Sequence, residues 1–288
     1  MSAEARRGCY RQGRGGFGLC AAGGEERCRS GAGAGVLLLW LAVVSAGGCS
    51  AGSDGERATV VVFAAASTGD AVDELSRRFE RSRAVQVRAN YAATSTLAQQ
   101  VTNAADADVF LSANTFWADY LEQQGLVAQG RDVLANRLVI VVPADSGLQV
   151  RGPEDLLDAR VRHIAVADPE AVPAGIYARR TLESLGLWGK LKGKLASVAD
   201  VRRALACVET AAAEAGLVYA TDARASRAVR IAVALDPKLA GPIRYRVLLL
   251  KQGAQKPAAK QYFAYLFSPE AADVFRRHGF EVLVELDE

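Results

Sequence analysis

From Ala58 onward, short apolar runs alternate with stretches of helical period, and that alternation leaves few architectures open. TVVVFAA (59–65) is unbroken apolar sequence, as in a strand buried on both faces. The DAVDELSRRFERS that follows puts Val72, Leu75 and Phe79 on one helical face. VQVRANY alternates with period two, TLAQQVTNA reads as a short helix, DVFLSA as a strand, and NTFWADYLEQQG as a helix closed by Gly125. NRLVIVVP is another buried strand, stopped by Pro143.

The same rhythm continues through HIAVAD, GIYARRTLESLG, DVRRALACVETAAAE (a helix over 200–214), GLVYA, RIAVAL and IRYRVLLL. It ends in SPEAADVFRRHGF, where Ser268 is the expected N-cap and Pro269 the first helical position. Such a chain predicts an α/β protein with mostly parallel sheets covered by helices. Its length suits two lobes with a cleft between them better than one sheet. NRLVIVVP and IRYRVLLL are the candidates to cross between lobes. The expected division is residues 58–138 with 247–288 in the first lobe and 139–246 in the second.

The first 48 residues differ. The apolar core Val36–Val44 is preceded by Arg27 and Arg29 and flanked by small residues, which is the layout of a secretory signal. It is too short and too rich in glycine for a membrane span. Cys49 follows Ala46-Gly47-Gly48, similar to the lipobox of bacterial lipoproteins with Ala46 where leucine is preferred. The AGSDGERA that follows, within 49–57, suits a tether. These features predict an extracytoplasmic protein, touching the membrane only through a lipid on Cys49, and a monomer.

Charge supports the division. Six of the 35 Lys and Arg residues and three of the 32 Asp and Glu residues lie before Cys49, so the remainder is formally neutral. A nucleic-acid partner would call for a basic excess. Of five cysteines only Cys49 and Cys207 lie beyond the leader. That excludes a disulfide framework or a paired-cysteine metal site, and Cys207 in RRALACVE is expected to be a buried, inert thiol. His163 and His278 have no ligand at metal spacing and are expected to be structural. Arg202 and Arg203 read as a solvated helix face or a source of long-range attraction for an anion.

Several strand-to-helix junctions share one chemistry. VVVFAAA runs into Ser67-Thr68-Gly69, ANY into Thr94-Ser95-Thr96, HIAVADPE into VPAGIYARR, and LASV into Asp200-Val201. In open α/β sheets ligands bind beyond the carboxyl ends of strands. A helix start there presents unpaired N–H groups and partial positive charge. Several converging starts lined by small residues make an anion site. Ser67 as a hydrolase nucleophile is the competing reading, but AAASTG lacks the G-x-S-x-G elbow.

In order along the chain, VFAAAS, ATSTLAQQ, ADVFLSAN, DPEAVPAGIYA, ADVRRALACVE and GLVYATDA resemble the bacterial molybdate-binding proteins of the molybdate import system. The resemblance covers residues 58–288, and DPEAVPAGIYA is its most specific motif. It implies a two-lobed type 2 periplasmic-binding-protein fold, no cofactor and no catalysis. The implied ligand is molybdate or tungstate, held in the cleft and passed to a membrane permease, with sulfate or another tetrahedral oxyanion as the alternative. It also implies five neutral donors: Ser67 and Thr94 through N–H and hydroxyl, Ala174 and Val201 through N–H, and Tyr219 through its phenol. Molybdenum would be held through its oxygens, with no direct protein ligand. The family often has serine where this chain has Thr94.

Overall fold

The protein is described by a computed structural model over residues 57–283. The signal-like segment, Cys49 and the tether up to residue 56 lie outside the described residues. The strand-forming run β1 (Ala58–Ala65) turns through one 3-10 turn at Ala66–Thr68 into α1 (Gly69–Arg81), which buries the expected face of Val72, Leu75 and Phe79. Next come β2 (Val85–Ala92), α2 (Thr94–Thr102), β3 (Val109–Ser112) and α3 (Thr115–Gln123). Gly125 follows at φ 68°, a left-handed turn suited to glycine. The 10-residue β4 (Val127–Asn136) was not legible in the sequence, because its first half is half-exposed or exposed and does not alternate. The buried strand β5 (Leu138–Pro143) follows.

The second half runs β6 (Ile164–Ala167), α4 (Pro173–Ser184), α5 (Trp188–Leu191), β7 (Leu195–Val198), α6 (Val201–Glu209), β8 (Ala215–Tyr219), α7 (Ala220–Ala225), β9 (Val229–Ala234) and α8 (Pro237–Ala240). The chain closes with β10 (Ile243–Leu250), α9 (Pro257–Tyr265), α10 (Pro269–Arg277) and β11 (Glu281–Val282). Ser268 caps α10 by accepting the Ala271 N–H at 3.2 Å. The helix expected over 200–214 is shorter. It stops at Glu209, and Ala211 takes φ 55°, because the chain must turn back into β8. There Gly216 passes so close to Val208 that a Cβ would meet its methyl at 2.7 Å.

The strands divide into two sheets, ordered β11-β4-β10-β3-β1-β2 and β7-β6-β8-β5-β9. This is the expected two-lobed α/β architecture, with mixed rather than mostly parallel sheets. β1, β2 and β3 are parallel, as are β6, β7 and β8, whereas β10 runs antiparallel to β3 and β4, and β5 antiparallel to β8 and β9. β5 and β10, the long strands that run against their neighbours, each follow a change of lobe, and the short β11 also runs antiparallel to β4. The first change is at Arg137, between β4 and β5, and the second lies in 235–242. NRLVIVVP makes the first crossing as expected, from Asn136 in the first sheet through Arg137 to β5 in the second, whereas IRYRVLLL lies wholly within the first sheet. β10 pairs with β4 from Ile243 onward, so residues 243–246 lie in the first sheet rather than with the second lobe.

Candidate functional site

Three helices, α2, α4 and α6, start at the cleft, and their first turns leave N–H groups without helical partners. In α2 the first helical bond is Leu97 N–H to Ala93 O, in α4 Ile176 N–H to Val172 O, and in α6 Ala204 N–H to Asp200 O. The N–H groups of Thr94, Ala174 and Val201 therefore precede the helical ladders. Val201 is the first residue of α6, as its place after Asp200 suggested. Asp200 caps that helix by accepting the Arg203 N–H at 2.9 Å. Pro173 opens α4 at the position where a missing N–H costs nothing.

Gly175 lets α4 start against the end of β6. A Cβ there would lie 2.2 Å from Ala167 O and 2.3 Å from Asp168 O. That close approach is the physical content of the Pro-Ala-Gly sequence, and it sets the Ala174 N–H at the cleft.

All five sequence-predicted residues, Ser67, Thr94, Ala174, Val201 and Tyr219, are buried and line one cavity between the lobes. Ala65, Ala66, Ala92, Ala93 and Ala113 supply methyl walls, and Val172, Pro173 and Asp200 complete the lining. The cavity is small, about 10 Å³. Asp200 is the only charged residue of the lining, and its carboxylate is engaged as the cap of α6.

The hydroxyls are oriented by partners. Thr94 Oγ1 accepts the Ala113 N–H at 3.1 Å, which leaves its proton to give. Ser67 Oγ lies 3.0 Å from the Tyr245 hydroxyl. The Tyr219 hydroxyl is buried with no hydrogen-bond partner in the protein, an orphaned donor of the kind that a ligand satisfies. Burial holds the Tyr219 phenol well above its usual pKa, reinforced by Tyr245 and Tyr177, so it stays protonated. Tyr245 is pushed up for the same first reason.

Three residues of this site were missed in the sequence. Tyr245 sits on the buried face of an alternating strand, where a tyrosine hydroxyl needs a partner, and that was its available signal. Asn136 ends β4, the strand that was not predicted. Ala113 acts only through its backbone.

Arg202 corrects an expectation. It is only partly solvated, since it bridges the lobes to Asp70 at 2.8 Å and contacts the fully buried Asp222 at 2.7 Å. The latter contact lies off the line of a hydrogen bond, so it is coulombic. Arg203 is exposed, as expected. Trp117 packs as expected and also donates across the cleft to Ala171 O at 2.9 Å. Cys207 is half-buried rather than buried. His278 bonds Glu74 at 3.0 Å, His163 is exposed beside Glu214, and no cluster able to hold a metal ion occurs among the described residues.

Residues 60–281 match the family model of the bacterial extracellular solute-binding proteins. The molybdate-binding protein ModA of Escherichia coli is 35% identical, over 79% of this chain and 90% of its own length. A putative ABC transporter substrate-binding lipoprotein of Bacillus subtilis, YvgL, is 34% identical over 85% of this chain and 95% of its own. Among solved structures, the periplasmic molybdate-binding protein of Azotobacter vinelandii superposes with a TM-score of 0.71 at 23% identity, over 78% of this chain and 100% of that one, a likeness of fold.

Proposed function

The chain belongs to the bacterial extracellular solute-binding proteins, and we propose that it captures molybdate between its lobes and passes it to the membrane permease of an ABC importer. The observation that carries this reading is the donor set of the cavity: helix-start N–H groups, two hydroxyls and an orphaned phenol, with no cation in the lining. Molybdate is fully ionised near neutral pH and offers only acceptors. A site of donors matches it, and converging helix starts offset its charge. Hydrogen phosphate also needs an acceptor and leaves polar groups unpaired in such a site.

Tungstate, with the same charge and shape, is captured as well. The molybdenum atom is reached only through its oxygens, so no side chain ligates the metal. The protein binds and releases without turnover. Ser67 lacks a base, since its hydroxyl pairs with a tyrosine. The family is extracellular, and we place this chain outside the cytoplasm as a monomer tethered by a lipid on Cys49.

Calorimetric titration of the mature chain with molybdate, tungstate, sulfate and hydrogen phosphate tests the ligand. Submicromolar binding of the first two, one per chain, and far weaker binding of the others is expected. Sulfate binding as tightly as molybdate would overturn the assignment. Mass spectrometry of the mature N-terminus tests the anchor, and an unlipidated terminus at another residue would refute it.

A further inference from the structure

We propose that Asn136 fixes the direction of a hydroxyl relay, from Asn136 through Tyr245 to Ser67, so that Ser67 presents a proton rather than a lone pair to the bound oxyanion. The inference rests on the oxyanion reading given above and adds how the site tells an ionised anion from a protonated one.

A serine hydroxyl is ambivalent, able to donate or to accept. Left free, Ser67 could turn and accept the proton of hydrogen phosphate, and selection by a donor-only site would be weakened. At Thr94 the ambivalence is reduced in one step, because the Ala113 N–H takes one of the two acceptor lone pairs and turns the proton away from itself. At Ser67 the corresponding neighbour is another hydroxyl, that of Tyr245, which is equally ambivalent. Direction has to come from further back.

It comes from Asn136. Its Oδ1 accepts the Arg137 N–H at 2.9 Å, and this determines which end of the amide is oxygen. The Nδ2 group therefore faces Thr221 Oγ1 at 2.9 Å and the Tyr245 hydroxyl at 3.3 Å. An amide nitrogen only donates. Tyr245 accepts from it and passes its own proton on to Ser67 Oγ, the hydroxyl set at full hydrogen-bond geometry 3.0 Å away, while the Tyr219 phenol, which also interacts with Tyr245, makes no such bond. Ser67 then has one acceptor lone pair engaged by Tyr245 and its proton turned toward the cavity that it lines. Tyr245 and Ser67 are buried, so water does not scramble the order.

Asn136→Asp tests the relay with little change of shape. The Arg137 N–H keeps its acceptor, but the group facing Tyr245 becomes an acceptor. Tyr245 then turns its proton toward Asn136→Asp, Ser67 donates to Tyr245, and a lone pair faces the ligand. Molybdate and hydrogen phosphate, both dianions at about pH 8, are titrated in parallel, so that the added charge cancels in the ratio of their affinities. The molybdate-to-phosphate ratio should fall by at least about tenfold, the worth of one hydrogen bond to a charged group.

Tyr245→Phe cuts the relay and should lower the ratio several-fold on its own. Adding Asn136→Asp to Tyr245→Phe should then change the ratio no further. An unchanged ratio in either single variant, or an equal fall caused by Asn136→Asp with and without the Tyr245 hydroxyl, overturns the relay. Wild-type protein that binds molybdate while the ratio stays fixed would sink the relay alone. Wild-type protein that binds no molybdate would remove the function and the relay together.

Discussion

The Thr94 hydroxyl accepts the backbone N–H of Ala113 at 3.1 Å, tying the first residue of α2 to the loop after β3. The bond takes one acceptor lone pair of the threonine and turns its proton toward the cavity. Thr94→Ser preserves the bond and should bind molybdate within a few-fold of wild type. Thr94→Val keeps the shape but orphans the Ala113 N–H and removes a donor, a loss of roughly 1.5–3 kcal/mol, or about ten- to over a hundredfold in affinity. Calorimetry on the two variants checks the contrast, and equal binding by both would exclude the hydroxyl as a ligand.

Val201 separates backbone from side chain. As the first residue of α6 it tolerates proline, whose missing N–H had no helical partner. Val201→Pro should melt close to wild type yet lose about tenfold or more in molybdate affinity. Val201→Ala keeps the donor and should lose much less. If the proline variant binds as well as the alanine variant, the N–H at 201 does not touch the anion.

Gly175 is held by sterics rather than by conformation. A Cβ would press into the carbonyls of Ala167 and Asp168 at 2.2 and 2.3 Å, and backbone cannot give way as a flexible side chain can. Gly175→Ala should push the start of α4 off β6. A cost on the order of 1–3 kcal/mol in stability is expected, together with loss of binding beyond that of Thr94→Val. Thermal melting and titration together check it. A variant of native affinity would show that α4 can shift without moving the Ala174 donor.

The Arg202–Asp222 contact makes stability depend on pH. Burial raises the Asp222 carboxyl to about 7, while Arg202 opposes that rise. A folded-state pKa above the unfolded value of about 4 means that stability falls as pH rises from about 4 to 7, because the unfolded chain has already released a proton that the folded chain keeps. Arg202→Leu removes the opposing cation, raises the Asp222 pKa further and leaves its buried carboxyl without a partner at pH 8, a penalty of roughly 3–5 kcal/mol. The penalty should shrink at about pH 5, where the carboxyl keeps its proton. Melting curves at the two pH values test this, and a pH-independent loss would mean that Asp222 is not the group involved.

The parts of the fold that announce themselves are those in which one residue type does one job. The unbroken apolar run of β1, the Ser268-Pro269 start of α10 and the Asp200 cap of α6 could be read because their cause is local. β4 could not, since its half-exposed sequence becomes a strand only by pairing with β10 and β11, far away in the chain. The mixed direction of the sheets was hidden for the same reason. Within the site, the residues at helix starts were legible, and the structure brings all five into one cavity. Tyr245 and Asn136 were not, because they act through another side chain, and that is a property of the folded chain only. Arg202 looked like one more surface cation until Asp222, 20 positions later, was folded beneath it.

Trp117 stands on the first lobe, and its indole N–H reaches a carbonyl of the second at 2.9 Å. When the lobes part, that N–H must exchange Ala171 O for water, and the ring around it becomes wetter. Indole emission responds to its surroundings in just this respect. Trp188, the other tryptophan among the described residues, is half-buried within the second lobe under the guanidinium of Arg179 and has no such partner across the cleft. The protein therefore has a fluorophore wired to the opening of its own cleft, readable in unlabelled protein by the colour of its emission as the anion enters and leaves.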